Sequence, residues 1–428
     1  MSAVYPKYAP EYSIAINGET IPASLRAAIT SVRLEDGVPS MMKEIDEEGM
    51  DAADRVEVEF ANVDLHWLQK HIRGLGFQPF PTDIKIGPAR VKNASALAFG
   101  VVPGVIQHVL AEDSPDGLFD IDNKLTLAMG YAPGSLDEMF LGEITGVEAE
   151  FPAGGMPTMR LVAHDYLHRL ADGKYARGFG MFLPDWLIAA ILSAENLLIP
   201  LIDPVVAAES TAMTVLNMLF DHSGRKQRGS DLDLLKEIAE AYDADFWVDG
   251  NVLYLSRFVG KEFEPRLTLT WGQSLLSYSP RVTTIGQVIG VAVKFRIPMI
   301  PLDFVMTVGW DFERESLSVR IIPGAIAGAL KSALGGPLMT LLNCTLDKPG
   351  DIARAAMALV RTLRNKVNNR LTGSGSAVGD PQIRAGAVIK LEGLGPDFSG
   401  NYRVTSATHT IDSSGYRTAF KVRKEIIP

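Results

Sequence analysis

One pattern in the sequence could bind a catalytic metal ion, the run His164-Asp165-Tyr166-Leu167-His168. Two histidines four residues apart on one helix face can bind zinc, with the acid between them as a general base. The residues just before His164 alternate like a strand, however, so we expect His164 at the end of a strand and His168 on a following helix. Asp165 also reaches less far than a glutamate, and Glu195 lies in unrelated context. We predict a strand-to-helix junction, with a zinc metallopeptidase as the alternative.

A glycine-rich run, Gly373 to Gly379, has the composition of a phosphate-binding loop. Such a loop needs a strand before it and a helix after it, because the helix N-terminus faces the phosphate. Here a predicted helix precedes the run and Asp380-Pro381 follows it. We therefore predict a flexible turn that leads into a strand.

The remaining polar groupings do not form a catalytic site. Asp231 and Asp233 point to different faces of a predicted helix, so we expect them to cap it and complement its dipole. Ser223 lacks the surroundings of a nucleophile elbow. The basic stretch Asp351 to Arg370 suits a protein contact or a solvated helix face, since no motif for reading DNA accompanies it. We predict no catalytic residue, no cofactor site and no metal site.

The composition is typical of a globular protein with several domains. The 428 residues are 47% hydrophobic and 21% charged, enough for two to four domains with sizeable cores. The formal net charge of −10 argues against a general phosphate-binding surface. Cys344 is the single cysteine, which excludes an intrachain disulfide and fits cytoplasmic assembly.

Neither a signal peptide nor a membrane span is expected. Met1 to Glu11 lacks a basic stretch followed by an apolar one. The most apolar segments, Trp186 to Val206 and Ile321 to Cys344, are interrupted by charged residues, prolines or glycines.

Alternating apolar and polar residues predict antiparallel β-structure in both the first and the last part of the chain. The clearest helix lies between these parts and is capped by Ser230 or Asp231. In chain order, the predicted segments are the β run Tyr12 to Asn62, an insertion from His66 to Asp122, strands from Lys124 to Ala163, the helix Asp231 to Tyr242, a hairpin from Phe246 to Leu255, a β run from Arg266, a helix-leaning insertion from Ala325 to Leu371, and closely spaced strands and turns from Gly379 to Pro428.

The order of these segments resembles one family, the tail-hub proteins of contractile-tailed phages. That family includes the late control protein D group and the hub half of the type VI secretion spike. The resemblance is carried by four blocks in order: Gly130-Tyr131 with Phe140 to Ile144; Met159 to Leu170; Gly229 to Leu235 with Asp249 to Tyr254; and Gly379 to Pro428. The insertions are larger than the family leads us to expect.

The resemblance implies a β-rich α+β fold with two related antiparallel, tail-tube-like β-barrel domains, a mixed helical segment and insertions. It divides the chain as follows: residues 1–65 and 124–165 form the first barrel, 66–123 an insertion, 166–262 a mixed α/β middle domain, 263–310 and 376–428 the second barrel, and 311–375 a helix-leaning insertion.

The same resemblance implies a structural baseplate hub without catalysis. Such hubs are homotrimers whose ring adapts a six-fold tail tube to a three-fold spike, located in the virion baseplate and assembled in the bacterial cytoplasm. Since the sequence shows no oligonucleotide/oligosaccharide-binding domain, needle or lysozyme-like domain after the second barrel, we expect a separate spike protein. Wedge proteins, and also a tape-measure protein, are further expected partners. The strands around Leu125 to Gly130 and Val388 to Leu391 are the predicted ring contacts.

A carbohydrate-binding β-module is a second alternative from a different class. It would need aromatic side chains exposed on one sheet face. Trp247, Trp271 and Trp310 are scattered along the sequence, and we expect them in the core.

Overall fold

A computed structural model describes most of the chain. The described residues are 9–39, 53–61, 84–86, 89–91, 118–150, 153, 158–171, 173, 175–220, 224–257, 264–282, 290–296, 303–311, 316–323, 339–343, 359, 363, 368 and 370–424.

The first part of the chain is mostly strand. Its elements are β1 (Ala9–Ile16), β2 (Glu19–Thr20), α1 (Ala23–Arg26), β3 (Ile29–Gly37), β4 (Arg55–Ala61), β5 (Ile84–Ile86), β6 (Ala89–Val91), β7 (Lys124–Ala132), β8 (Asp137–Glu150) and β9 (Thr158–Asp165).

The middle part mixes helices with short strands. Its elements are α2 (His168–Ala171), β10 (Tyr175–Gly178), α3 (Asp185–Glu195), β11 (Ile199–Ile202), α4 (Pro204–Phe220), β12 (Lys226–Gly229), α5 (Asp231–Ala241), β13 (Asp245–Asp249) and β14 (Val252–Ser256).

The last part returns to strands. Its elements are β15 (Leu267–Thr270), β16 (Leu275–Val282), β17 (Gly290–Arg296), β18 (Asp303–Asp311), β19 (Ser316–Pro323), β20 (Met339–Asn343), β21 (Leu371–Val378), β22 (Val388–Glu392), β23 (Gly400–Asp412) and β24 (Gly415–Arg423).

A single 13-stranded sheet joins the first and last parts, in the order β16-β21-β24-β23-β3-β4-β9-β8-β7-β1-β2, with β22 pairing β23 and β15 pairing β22. The long strand β23 makes the connection. Its start pairs with β22, and from Ser406 onward it pairs with β3. A bulge between Val404 and Ser406 marks the change of partner. The predicted β-rich fold is therefore confirmed, but the two predicted barrels are joined in one sheet, and no closed barrel is found among the described strands.

Smaller sheets complete the described structure. They are the pair β10-β12, the three-stranded sheet β11-β14-β13, the four-stranded sheet β19-β18-β17-β20 and the pair β5-β6.

The described residues include three hydrophobic cores that stabilise these elements. The N-terminal core lies among β1, β3, β4, β7, β8 and β9 and also contains Ile411 and Tyr416 from the far end of the chain. The middle core packs α2 to α5 against β13 and β14. The C-terminal core lies among β15, β16 and β21 to β24. Ile411 on β23 and Tyr416 on β24 pack in the N-terminal core, while other residues of these two strands pack in the C-terminal core. The two β-rich parts therefore share side chains as well as strands.

The predicted helix at Asp231 is confirmed as α5, and its first turn shows why it begins there. The Ser230 hydroxyl accepts a hydrogen bond from the Asp233 backbone N–H at 3.1 Å, and the Asp233 carboxylate accepts one from the Ser230 N–H at 3.0 Å. This reciprocal capping box satisfies two N–H groups that the helix leaves unpaired. The predicted hairpin after α5 is confirmed as β13 and β14.

The predicted flexible turn at Gly373 to Gly379 is wrong, because most of this run is strand β21. It is a central strand that pairs with β16 on one side and β24 on the other. Glycine is needed in this strand because neighbouring strands pack too closely to leave room for a Cβ atom. A Cβ on Gly375 would lie 2.8 Å from the Ser277 carbonyl oxygen, and one on Gly373 would lie 2.5 Å from the Tyr278 hydroxyl.

The helical character predicted for Ala325 to Leu371 is wrong where β20 forms, since Met339–Asn343 pairs with β17. Strand β19 also falls inside the predicted helix-leaning insertion 311–375. Most of the basic stretch Asp351 to Arg370, most of the insertion 66–123, and Ser223 lie outside the described residues. Within the basic stretch, Leu359, Leu363 and Asn368 are described, and they are buried helical residues. In the part that is described, no helix has both the length and the apolar character to cross a bilayer.

Candidate functional site

A charged cluster lies where β23 changes partner, and we call it the junction cluster. It consists of Asp36 and Asp165, which are buried, and Asp54 and Arg384, which are partly buried. Asp36, on β3, accepts a hydrogen bond from Arg384 Nε at 2.5 Å and one from the Ala385 backbone N–H at 3.1 Å. The loop before β22 is therefore held against β3. This contact ties two segments that are far apart in the sequence.

The other two carboxyls of the junction cluster come from the neighbouring strands. Asp54, just before β4, accepts a hydrogen bond from the Gly37 N–H at 3.0 Å. Asp165, at the end of β9, accepts one from the Leu167 N–H at 3.0 Å. The Asp165 N–H in turn donates to the Asp54 carbonyl oxygen at 3.0 Å. Since β3, β4 and β9 are consecutive in the sheet, their ends bring the three carboxyls to one place.

Burial and mutual repulsion change the protonation of the junction cluster. Burial raises the pKa of Asp165 to about 8, against the opposing effect of its backbone hydrogen bonds. The pKa of Asp54 is raised well above its usual range by burial and then by the charges of Asp36 and Asp165. For Arg384, burial lowers the pKa, but Asp36 and Asp54 together raise it above its ordinary value. The cluster thus holds a charged guanidinium close to the Asp165 carboxyl, which keeps its proton near neutral pH.

The junction cluster borders a cavity of about 300 Å³. Its wall comes from all three parts of the chain: the end of β3, the β13 strand with Ser256 and Arg257, and the loop from Arg384 to Ala387. Other residues that line it are Val38, Leu167, Trp247, Asp249, Arg266 and Arg403. The cluster can therefore hold three packed regions together and admit water between them.

A second buried ion pair joins β8 to α2. The Arg169 guanidinium donates two hydrogen bonds to the Glu143 carboxylate, one of them from Nε at 3.0 Å. Arg169 also donates to the Asn196 carbonyl oxygen at 3.2 Å. This fork-shaped pair is of the strong, bidentate type. It fixes the middle part of the chain to the edge of the N-terminal core.

The predicted zinc histidines are placed as the strand-to-helix junction requires. His164 is in β9, where its Nδ1 lies 2.7 Å from Thr145 Oγ1. His168 begins α2, and its Nδ1 faces the Asp165 carbonyl oxygen. The two rings are 6.3 Å apart between centroids. Across the described ranges, no three His, Cys, Asp or Glu side chains converge as a metal site would need.

Asp231 has a role in addition to its predicted place at the start of α5. Its fully buried carboxylate accepts hydrogen bonds from Arg177 Nη2 at 3.0 Å and from Asn196 Nδ2 at 3.0 Å. Arg177 also donates to Glu195 at 2.8 Å. The cap is Ser230, one of the two predicted candidates, and Asp231 lies in the first turn of α5, where its carboxylate complements the helix dipole as predicted. A buried charge of this kind is stable because it is fully paired.

Trp271 is 61% exposed, so the prediction that it lies in the core is wrong. It follows β15 in a tight turn against Gly393, which leaves its ring at the surface. Trp247 is half-buried and stacks on Tyr254 with 5.1 Å between ring centroids. The side chain of Trp310 is not among those described.

The predicted ring contacts are not carried by apolar side chains. Leu125, Leu127 and Met129 are buried in the N-terminal core, and Ile389 and Leu391 in the C-terminal core. They are therefore not available to a partner.

Sequence reasoning found Asp165, as the acid of the zinc pattern, but missed the other members of the junction cluster. Asp36 looked like part of a turn after a strand, and Arg384 like part of the turn Arg384-Ala385-Gly386. Only the pairing of β3 with β23 brings them together. A charged residue inside a turn-forming segment is weak evidence for a buried ion pair, and it does not show which residue it pairs with.

The fold of this chain is that of phage tail proteins. It matches the 43 kDa tail protein of prophage MuSo2 from Shewanella oneidensis with a TM-score of 0.55 at 11% identity, covering 98% of this chain and 99% of that one. It matches the tail protein from Neisseria meningitidis MC58 with a TM-score of 0.55 at 10% identity, covering 98% of each chain. No family model matches the sequence, and no curated protein is significantly similar to it. The predicted resemblance to tail proteins is confirmed at the level of the fold.

Proposed function

We propose that this chain is a structural baseplate hub of a contractile tail or a related injection system. Three copies would form a ring that adapts the six-fold tail tube to a separate three-fold spike protein. The observation that carries the proposal is the match to two tail proteins along nearly the whole length of both chains.

Two curled units within the joined sheet support the ring. Near the N-terminal core, the Tyr131 hydroxyl on β7 donates to the carbonyl oxygen of Gly379, just after β21, at 2.9 Å, and the Tyr131 ring lies 5.6 Å from that of Tyr416 on β24, so β7 approaches β24 across the fold. In the last part, Trp271 bridges to Leu275, so β15 returns to β16. We infer two barrel-like units that share β23 and β24. A three-fold ring of chains with two similar units each would offer six related surfaces to a tube.

The buried charges fit a structural part better than a catalyst. The members of the junction cluster bind the backbone and one another, and Glu143 is engaged by Arg169. Their proposed role is to fix the three parts of the hub. Wedge and tape-measure proteins are further proposed partners, and the proposed location is the tail baseplate of the particle.

Light scattering on the purified chain, alone and with the tail tube and spike proteins of the same genome, tests the proposed function. We expect the mass of three chains, and a complex that contains one spike trimer. A chain that stays monomeric with both partners present would contradict the hub. Binding to the tube alone would indicate a different position in the tail.

A further inference from the structure

The sheet edge formed by β16, β21 and β24 carries only positive charge. These three strands contain no acidic residue, although the whole chain has a net charge of −10. On the face turned away from the core, Ser277 and Ser376 contact each other through their hydroxyls at 2.7 Å. The register places Arg281, Arg417 and Lys421 on that same face. We call these three residues the basic edge.

Exposed apolar side chains lie beside the basic edge. Trp271, Leu276 and Val282 are each at least half exposed, and after the bridge at Leu275 the strand β16 pairs on one side only, with β21, in the described sheet. Open edges with exposed apolar residues attract partners unless they are covered. Pro280 removes one backbone donor from β16, so a partner would be held mainly through side chains.

A negative surface lies on the same sheet beyond β23 and β3, on the strands β4 and β8. Glu59 on β4 and Glu148 and Glu150 on β8 face outward, and we call them the acidic strip. Arg160 lies between Glu59, at 3.6 Å, and Glu148, at 3.4 Å. Glu150 lies two residues further along β8 on the same face, so the acidic strip has three carboxylates to one guanidinium and a net negative charge. Glu148 is 63% exposed, so this charge is open to a partner.

We propose that the basic edge of one copy docks on the acidic strip of a second copy. This inference rests on the trimer proposed above and names its contact. Opposite charges favour the approach of two chains that otherwise repel each other at a net charge of −10 each. Because the two surfaces are different, the contact between copies is head-to-tail. Such a contact closes into a ring of three when each copy is rotated by 120° from the one before, as three-fold symmetry requires. The apolar side chains beside the basic edge favour a protein partner over a nucleic acid.

Charge reversal tests the contact in the full chain, with the spike protein present if the trimer needs it. Two variants are made: Arg281→Glu, and the pair Glu148→Lys with Glu150→Lys. Each should raise the protein concentration at which half of the chains are assembled by about tenfold or more, because like charges would meet. Combining all three changes in one chain should restore assembly, because opposite charges meet again. Lys226→Glu is the matched control, since it makes the same charge change at an exposed site on β12 and should leave assembly unchanged.

Each result separates the contact from the hub function. If the wild-type chain forms no trimer even with the spike, the hub function and the contact both fail. If the trimer forms and both reversals leave the half-assembly concentration unchanged, the contact alone is overturned. If Arg281→Glu abolishes binding to a short DNA duplex while the trimer is unchanged, the basic edge is a nucleic-acid surface and the proposed contact is overturned.

Discussion

At the scale of single residues, the ion pair between Asp36 and Arg384 holds the junction cluster together. Arg384→Met would keep most of the volume but leave the Asp36 carboxylate buried without its guanidinium. Breaking a buried pair from one side costs about 3 kcal/mol or more. We expect the midpoint of urea unfolding to fall accordingly.

The double variant Asp36→Asn with Arg384→Met is the control for that prediction. It removes both charges and keeps an acceptor for the Ala385 N–H. Most of the lost stability should return, because no uncompensated charge remains. Equal losses in the single and double variants would show that packing, and not charge, accounts for the effect.

The carboxyl of Asp165 predicts a specific pH dependence of stability. Its pKa is raised to about 8 in the folded chain, so the folded state binds a proton that the unfolded state releases. The free energy of unfolding should therefore fall as pH rises from about 4 to 8, by at most about 1.4 kcal/mol per pH unit for one proton. Asp165→Asn should reduce this slope.

The slope is best measured between pH 6.5 and 8, because His409 has the opposite effect at lower pH. Burial lowers the pKa of His409 to about 4, so its contribution to stability is lost as pH falls below 6.5. Asp397→Asn, at an exposed site, is the matched control and should leave the slope unchanged. An unchanged slope in Asp165→Asn would mean that this carboxyl is ionised in the folded chain.

At the scale of elements, glycines allow the central strand β21 and its exit to pack closely. A Cβ on Gly379 would lie 2.1 Å from Tyr416 Cγ, in the wall of the N-terminal core. Gly379→Ala must displace that ring and should cost about 2 kcal/mol, as overpacked core sites do. Gly178→Ala on β10 is the control, since its Cβ would meet nothing within 4 Å. Thermal unfolding of the two variants compares them, and equal midpoints would contradict the packing role of Gly379.

The elements that sequence predicted well are those fixed by local signals. Alternation identified the strands around Arg55, Lys124 and Tyr402, and the Ser230 cap identified α5, because each depends on residues within a few positions. The glycines of β21 are typical of a turn by local pattern, but they are required by the packing of Tyr278 and Phe420 from other strands. The junction cluster was missed for the same reason. Asp36 and Arg384 are 348 residues apart, and no local pattern encodes their contact.

At the scale of the whole molecule, β23 makes one structure of two β-rich parts. Val404, before the bulge, packs in the C-terminal core, and Ile411, after it, packs in the N-terminal core. A rigid strand that spans both cores transmits a force on one to the other. For a hub that joins a tube to a spike, such a connection would keep its two attachment surfaces in fixed relation.

This shared strand predicts that the two β-rich parts unfold together. Ile411→Ala should destabilise the N-terminal core by about 2–4 kcal/mol, and Val404→Ala should act on the C-terminal core by a smaller amount. If β23 couples the cores, hydrogen exchange should show β4 and β21 losing protection together in both variants, with one calorimetric transition for the sheet.

Leu253→Ala, in the middle core, is the control that shows whether that part unfolds together with the sheet. Loss of protection confined to β1–β9 in Ile411→Ala would mean that the bulge at Thr405 separates two independent units, and the rigid connection would fail.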